Sequence, residues 1–188
     1  MAIIKNIQIK MINIYNLNNK PNKDLINIIN EIDINLNILL LGCGLSNDED
    51  VSDEAKHNLT IFSSKYKNIT LSDKKIDYNF IIENNIDKNK IKKLDLIKDD
   101  INLNLANTYD YIELRWVLHF PEFEDFYIEI LTSLYNKLKK DGIIGIQAFK
   151  YNYFTEDVLN HIKVKFEKIE IFKWVYENNE CYTIIIGK

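Results

Sequence analysis

The sequence is poor in cysteine, proline, glycine and arginine, and each shortage argues against a class of protein. The two cysteines, Cys43 and Cys181, are far apart and lack metal-ligand spacing, which argues against a disulfide framework or a zinc site. Five glycines and two prolines leave little for a long disordered linker. No apolar run approaches the ~18 residues of a membrane span. The N-terminal stretch MAIIKNIQIKMINIY is broken by Lys and Asn, unlike a signal peptide. We therefore expect a cytosolic (cytoplasmic) protein.

The bulk composition is that of a soluble globular protein. The chain has 188 residues, of which 46% are apolar and 28% charged, enough for one domain with a sizeable core. The formal net charge of -4 argues against nucleic acid as the main partner, because phosphate binding depends chiefly on Lys and Arg. The densest basic clusters, 88–93 and 137–140, are typical of solvated surface. We expect a single domain over 1–188, with an N-terminal arm at 1–22 and a core at 23–188.

One stretch carries the strongest local signal. The apolar run at 38–41 leads directly into Gly42 and Gly44, which are separated by one residue. A continuous apolar run of this length is typical of a strand buried on both faces of a parallel sheet. Glycines after such a strand allow a sharp turn and the close approach of a ligand. Ser46 or Asn47 can then cap the next helix, whose first turn is acidic.

The remaining patterns predict alternating strands and helices, which indicates an α/β protein with a mostly parallel sheet covered by helices. Gly142 is predicted to cap the carboxyl end of a helix over 123–138. Residues 102–108 are predicted to form a loop. Helices are predicted at 24–31, 51–65, around 80–82, 123–138 and 156–163; strands are predicted at 37–41, 68–71, 93–97, 109–115 and 143–148, followed by a hairpin of 166–175 and 181–186.

Taken in order, these motifs resemble the class I S-adenosylmethionine-dependent methyltransferases. The resemblance rests on LLLGCG, an acid after strand two, an Asp after strand three, YDYIELRWVLHF at strand four and LYNKLKKDGIIGIQ, and it covers roughly residues 24–188. It implies a three-layer α/β sandwich whose seven-stranded, mostly parallel sheet has an antiparallel last strand beside the penultimate one. It also implies S-adenosyl-L-methionine as cofactor and methyl transfer to O, N or S of a small molecule or peptide.

The resemblance assigns the glycine turn, Gly42, Cys43, Gly44 and Ser46, to the methionine half of the cofactor. The sequence departs from the family pattern twice. Leu40 replaces the acid often found two residues before the first glycine, and Leu45 or Ser46 stands at the third small position. These departures motivate one alternative, a non-catalytic methyltransferase-like subunit that binds or scaffolds.

Two acids match the cofactor-binding positions of the family. Asp73 would bond both ribose hydroxyls, although it lies 29 residues after Gly44, against ~20 in dinucleotide folds. The alternative is that Asp73 only ends a strand and has no role in binding. Asp95 would accept from the adenine amino group, with Leu96 and Ile97 flanking the ring. Asp99 or Asp100 is the alternative acid.

The loop after strand four is where the family places contacts to the substrate and the sulfonium. Trp116 would border the cofactor or form an apolar wall, and His119 would act as a general base or be structural. Arg115, the only arginine, would hold a carboxylate or phosphate of the substrate, or pair with Glu113. The aromatic residues that follow strand five would line a pocket or pack under the hairpin: Phe149, Tyr151, Tyr153 and Phe154.

Other functions stay open at this point. An RNA- or protein-directed methyltransferase would place the basic clusters around the pocket. The motif of exocyclic-amine methylation on nucleobases, Asn/Asp-Pro-Pro-aromatic, is absent. A nicotinamide dehydrogenase would carry a third glycine and no terminal hairpin. The sequence does not specify the methyl acceptor or the oligomeric state.

Overall fold

The computed structural model describes residues 25–45, 53–105, 108–118, 120–150, 154–176 and 178–188. Short 3₁₀ helices precede the third strand and follow the fourth, at Lys88–Lys90 and Pro121–Phe123. The helices are α1 (Leu25–Glu31), α2 (Asp53–Lys65), α3 (Tyr78–Glu83), α4 (Ile101–Asn104), α5 (Tyr127–Asn136) and α6 (Glu156–Lys165). The strands are β1 (Ile38–Leu41), β2 (Ile69–Asp73), β3 (Ile91–Lys93), β4 (Tyr109–Arg115), β5 (Leu138–Phe149), β6 (Lys168–Tyr176) and β7 (Asn179–Gly187).

The seven strands form one sheet in the order β3-β2-β1-β4-β5-β7-β6. The pairs among β1 to β5 are parallel, whereas β7 is antiparallel to both β5 and β6. The last strand is therefore inserted beside the penultimate one. This confirms the predicted α/β class with its antiparallel C-terminal hairpin.

Helices cover both faces of the sheet, so the three-layer arrangement is also confirmed. One core cluster packs α5 and α6 on the face that includes Leu39, Ile112 and Ile146. The other packs α1, α2 and α3 on the face that includes Leu40 and Tyr111. All four residues of β1 are buried, as expected for a central strand with apolar neighbours on both faces.

The strand order fixes where a ligand can bind. The strand order reverses between β1 and β4. Strands β2 and β3 lie on one side of β1, and β4, β5, β7 and β6 lie on the other. In open α/β sheets, ligands bind at such a switch point, outside the carboxyl ends of the strands. The glycine turn follows β1 and Trp116 follows β4, so both predicted site segments lie at this point.

Three predictions about elements were wrong. The third strand ends at Lys93, so Asp95 lies in the loop after it and not in a strand as predicted. Residues 101–104 form α4 because Asp100 accepts from the backbone N–H groups of Asn102 and Leu103 and so caps a helix. Gly142 does not cap a helix: it lies inside β5, which begins at Leu138.

The helix predicted at 123–138 is shorter in the structure, where α5 covers Tyr127–Asn136. A 3₁₀ turn takes its first residues, and α5 ends at Asn136. In α5, Ile130, Leu131 and Leu134 are buried, whereas Phe126, just before the helix, is exposed. In α2 and α3, Ile61 and Ile82 are exposed. Residues 1–22, predicted to form an N-terminal arm, lie outside the described residues, so the domain boundaries stay a prediction. None of the described helices has the length and apolarity that a membrane span requires.

Candidate functional site

The glycine turn leaves β1 in a conformation that favours glycine. Gly42 and Gly44 have φ angles of +60° and +76°. L-residues with a side chain pay about 1–2 kcal/mol in this region. A Cβ on Gly42 would also stand 2.4 Å from the Val117 Cγ2 atom. Gly42 is therefore required both by the turn and by the close approach of the segment that follows β4.

Asp73 is the last residue of β2 and is bonded to the glycine turn. Its Oδ2 accepts from the backbone N–H of Gly44 at 2.8 Å, and its Oδ1 accepts from the N–H of Lys75 at 3.2 Å. A carboxylate offers about four lone-pair sites, so these two bonds leave capacity for hydroxyl donors. The structure thus brings Asp73 and Gly44 together, as the sequence analysis expected of two residues at one site.

Cys43 lies between the two glycines and faces β2. Its N–H donates to the Ser72 carbonyl at 3.3 Å, and its Sγ lies 3.5 Å from the same oxygen. Burial raises the pKa of the Cys43 thiol strongly, the Asp73 carboxylate adds to the rise, and the Arg115 guanidinium acts against it. A raised pKa favours the neutral thiol, so we expect Cys43, which is half-buried, to act as a spacer in the turn and not as a nucleophile.

Asp95 and Leu96 lie beside β2 in the loop after β3. Asp95 Oδ1 accepts from the N–H groups of Ile97 and Lys98 at 3.1 and 3.3 Å, so this acid caps its own turn. Its backbone N–H donates to Asp99 Oδ2 at 2.8 Å. Leu96 is buried. The two candidate acids therefore differ in position: Asp95 begins the turn, and Asp99 closes it.

A charged bridge joins the two rims of the switch point. Lys74, next to Asp73, donates to Glu122 Oε1 at 2.7 Å, and Glu122 lies in the 3₁₀ helix after β4. Chiefly this hydrogen bond raises the pKa of Lys74, with smaller contributions from Asp95 and Asp73. Both carboxylates therefore lie near enough to Lys74 to favour its charged form.

Trp116 follows β4 with a φ of +60°, a strained value for an aromatic residue. Its backbone N–H donates to the Gln147 carbonyl at 2.7 Å. Its ring stacks on Phe149 with centroids 4.3 Å apart and lies 6.4 Å from Trp174. The hydrogen bond and the stacking hold a conformation that the residue would otherwise avoid. Strain of this kind is concentrated at functional sites.

Glu113 and Gln147 are buried polar residues at this end of the sheet that sequence reasoning did not assign to the site. The Arg115 Nε atom lies 3.7 Å from Glu113 Oε1, so the ion pair that the sequence left open is present. The Tyr111 hydroxyl donates to Glu113 Oε2 at 2.8 Å. A signal existed: in YDYIELR, Tyr111, Glu113 and Arg115 alternate and must share one face of the strand.

Several predicted residues cannot be placed. Ser46, His119, Tyr151 and Tyr153 lie outside the described residues. Phe154 is fully buried and packs on Tyr182, with ring centroids 6.2 Å apart, so it belongs to the core under the hairpin. Among the residues that the structure covers, no group of three or more His, Cys, Asp and Glu side chains is placed to hold a metal ion.

Several solved structures with a similar fold are methyltransferases. A methyltransferase from Pyrococcus furiosus matches with a TM-score of 0.55 and 16% identity, over 81% of this chain and 75% of that one. The N-methyltransferase NodS from Bradyrhizobium japonicum WM9, in complex with S-adenosyl-L-homocysteine, matches with a TM-score of 0.53 and 11% identity, over 81% and 77%.

A third similar structure is precorrin-6y C5,15-methyltransferase from Geobacter metallireducens GS-15, with a TM-score of 0.50 and 14% identity, over 81% and 79%. No family model and no curated protein matches the sequence. At these identities the likeness concerns the fold: the chain has the Rossmann-like fold of class I methyltransferases.

Proposed function

We propose that this protein is an S-adenosyl-L-methionine-dependent methyltransferase whose acceptor is a small molecule or a peptide. The observation that carries the proposal is the bond between Gly44 and Asp73 at the switch point of a β3-β2-β1-β4-β5-β7-β6 sheet. It joins a glycine turn and a carboxylate at the carboxyl ends of adjacent strands, where a ribose and its substituents can be held together.

The residues present fit this cofactor. The positive φ angles of Gly42 and Gly44 let the backbone approach a ligand closely. Asp73 retains acceptor capacity for two vicinal hydroxyls, and Asp95 or Asp99, in the turn after β3, would accept from the adenine amino group. Trp116 would border the reactive end, together with Ser46 from the predicted turn.

The cofactor would supply a sulfonium methyl group that an O, N or S nucleophile can take in line. The chain's own contribution is then mainly proximity and orientation, which alone can supply several kcal/mol of the barrier. Trp116, held on Phe149, would fix one wall of the reaction space and exclude water from it. His119 is proposed as the group that removes a proton from the acceptor where its nucleophile must lose one.

The basic clusters support a small acceptor over RNA. The 137–140 cluster opens β5 at its amino end, opposite the glycine turn, whereas the 88–93 cluster runs through β3 to Lys93, whose register partner is Asp73. The two clusters are therefore separated and do not gather around the glycine turn. Some of these lysines are also engaged within the protein. Lys90 donates to the carbonyls of Ser63 and Tyr66, and Lys139 pairs with Asp110 at 2.7 Å.

The sheet supports a methyltransferase over a nicotinamide dehydrogenase. Dinucleotide folds have the all-parallel order 3-2-1-4-5-6. Here β7 lies antiparallel between β5 and β6.

Calorimetry with S-adenosyl-L-methionine and S-adenosyl-L-homocysteine tests the proposal. We expect both to bind to one site, and the first to lose its methyl group to an acceptor from a panel of phenols, amines, thiols and short peptides. Absence of binding at millimolar ligand would overturn the proposal. Binding without transfer to any acceptor would favour the non-catalytic alternative, which Leu40 motivates.

A further inference from the structure

The buried ion pair of Glu113 and Arg115 lies on the face of β4 that also carries Tyr111. Glu113 is 2% exposed, and its carboxylate is bonded by the Tyr111 hydroxyl and lies near the Arg115 guanidinium. Burial of two charges usually costs more than their attraction returns, so such a pair is weak evidence for stability. The position of the pair suggests a role in ligand binding and not in stability.

The register places this pair beside the glycine turn. Glu113 is paired with Leu40 of β1, so both side chains lie on the same face at the same level. Leu40 is the position, two residues before Gly42, where the resembling family often has an acid. The carboxylate that is missing from β1 is thus present on the adjacent strand. β1 ends at Leu41, beside Leu114, so the chain enters the glycine turn next to Arg115.

Two polar groups beside Glu113 have unused hydrogen-bonding capacity. The Arg115 side chain is only 15% exposed, and its Nε atom is 3.7 Å from Glu113 Oε1, which is beyond hydrogen-bonding distance. Gln147, paired with Arg115 across β4 and β5, is 1% exposed, and its Oε1 accepts no hydrogen bond from the described part of the chain. A set of donors and a buried acceptor therefore lie side by side on one face.

We propose that Glu113, Arg115 and Gln147 bind the α-amino acid end of the cofactor. Arg115 takes the α-carboxylate through its paired N–H groups, while Glu113 and the Gln147 Oε1 atom accept from the α-ammonium. The inference rests on the proposed function and names the side chains that replace the missing acid. The charges agree: a zwitterion adds no net charge beside a neutral ion pair, whereas a phosphate would place uncompensated negative charge near Glu113.

The same chemistry could serve an amino acid acceptor, but proximity to the turn favours the cofactor. Leu41 pairs with Leu114, so Arg115 lies beside the chain where it enters the turn that would hold the methionine half. The Arg115 guanidinium also opposes the rise in the pKa of the Cys43 thiol that burial causes.

Two ligands separate this role from a structural one. S-adenosyl-L-homocysteine carries the amino acid group, and 5′-methylthioadenosine lacks it but keeps the adenosine and the thioether. We expect Glu113→Gln and Arg115→Lys each to lower the affinity for S-adenosyl-L-homocysteine by about tenfold or more, measured by calorimetry. The affinity for 5′-methylthioadenosine should stay within about twofold of wild type. Arg115→Lys keeps a cation beside Glu113, so it serves if Glu113→Gln does not fold.

Asp110→Asn is the matched control. It breaks the ion pair with Lys139 at the opposite end of the same strand, where the Nζ and Oδ2 atoms are 2.7 Å apart, and should change neither affinity. Equal losses for both ligands would overturn the proposal in favour of a structural role. Unchanged binding of S-adenosyl-L-homocysteine by the Glu113 and Arg115 variants would also overturn it and would leave an amino acid acceptor as the source of the zwitterion. Failure of the wild-type protein to bind either ligand would instead refute the proposed function, and this inference with it.

Discussion

Replacement of Asp73 tests the cofactor site most directly. Asp73→Ala removes a carboxylate that accepts from the Gly44 N–H at 2.8 Å and would accept from the ribose. Hydrogen bonds to a charged group contribute about 1.5–3 kcal/mol, so the affinity for S-adenosyl-L-homocysteine should fall by roughly 10- to 150-fold. Asp73→Asn keeps one acceptor oxygen but loses the charge, so its affinity should lie between those of wild type and the alanine variant.

Calorimetry gives these affinities without turnover, and circular dichroism shows whether each variant is folded. Asp87→Ala is the control, because Asp87 Oδ1 caps a backbone N–H two residues on, at 2.9 Å, as Asp73 Oδ1 does. It lies before β3, at the opposite edge of the sheet, and its loss should leave the affinity unchanged. An Asp73→Ala variant that binds within about twofold of wild type would show that Asp73 merely ends a strand.

Five further measurements test the glycine turn, the Cys43 thiol and the residues that follow β4. Gly42→Ala should lower the free energy of unfolding by about 2 kcal/mol, read from chemical denaturation, because the new methyl would stand 2.4 Å from a valine methyl at a positive φ; an unchanged midpoint would refute the tight turn. Burial raises the pKa of Cys43, so the native thiol should react with a disulfide reagent far more slowly at pH 8 than the unfolded chain, and rapid reaction would contradict this. Because this pKa is raised on folding, stability should fall as the pH rises above the ordinary thiol value, and Cys43→Ser should flatten that decline. Trp116 and Trp174 are the only tryptophans, so ligand binding should alter the intrinsic fluorescence in wild type and in Trp174→Phe but less in Trp116→Phe; equal responses in both variants would remove Trp116 from the cofactor's border. His119→Ala should lower turnover and abolish its dependence on pH near neutrality while leaving cofactor affinity unchanged, and equal turnover would make the residue structural.

Local sequence patterns correctly predicted β4, the glycine turn and the terminal hairpin. The boundaries of β4 were predicted correctly, because YDYIELR alternates in a way that suits a strand and is followed by a change of pattern. The glycine turn was predicted because two glycines follow a fully apolar strand, and in the structure Gly42 and Gly44 both have positive φ angles. The terminal hairpin followed from two apolar stretches around a polar turn, where Asn178 takes a positive φ.

Predictions failed where pairing with neighbours overrides local preference. Lys-Lys-Asp-Gly suggested a helix end capped by Gly142, yet Leu138 pairs with Tyr109 and Ile143 with Tyr111, so the segment is drawn into β5. The positive φ falls on Asp141 and not on the glycine. Likewise β3 ends at Lys93 because its partner β2 ends at Asp73, and Asp95 is left in the loop.

The α/β class, the position of the glycine turn and the acids that follow two strands could be read from local patterns, because these depend on periodicity and on residues close together in the chain. Which side chains meet at the turn depends on strand pairing, and so became visible only in the folded protein. Leu40 and Glu113 are 73 positions apart, and their register depends on the pairing of β1 with β4. The sequence therefore showed an acid missing before Gly42, whereas the fold showed a carboxylate beside that position, since strand pairing joins distant segments that no local pattern connects.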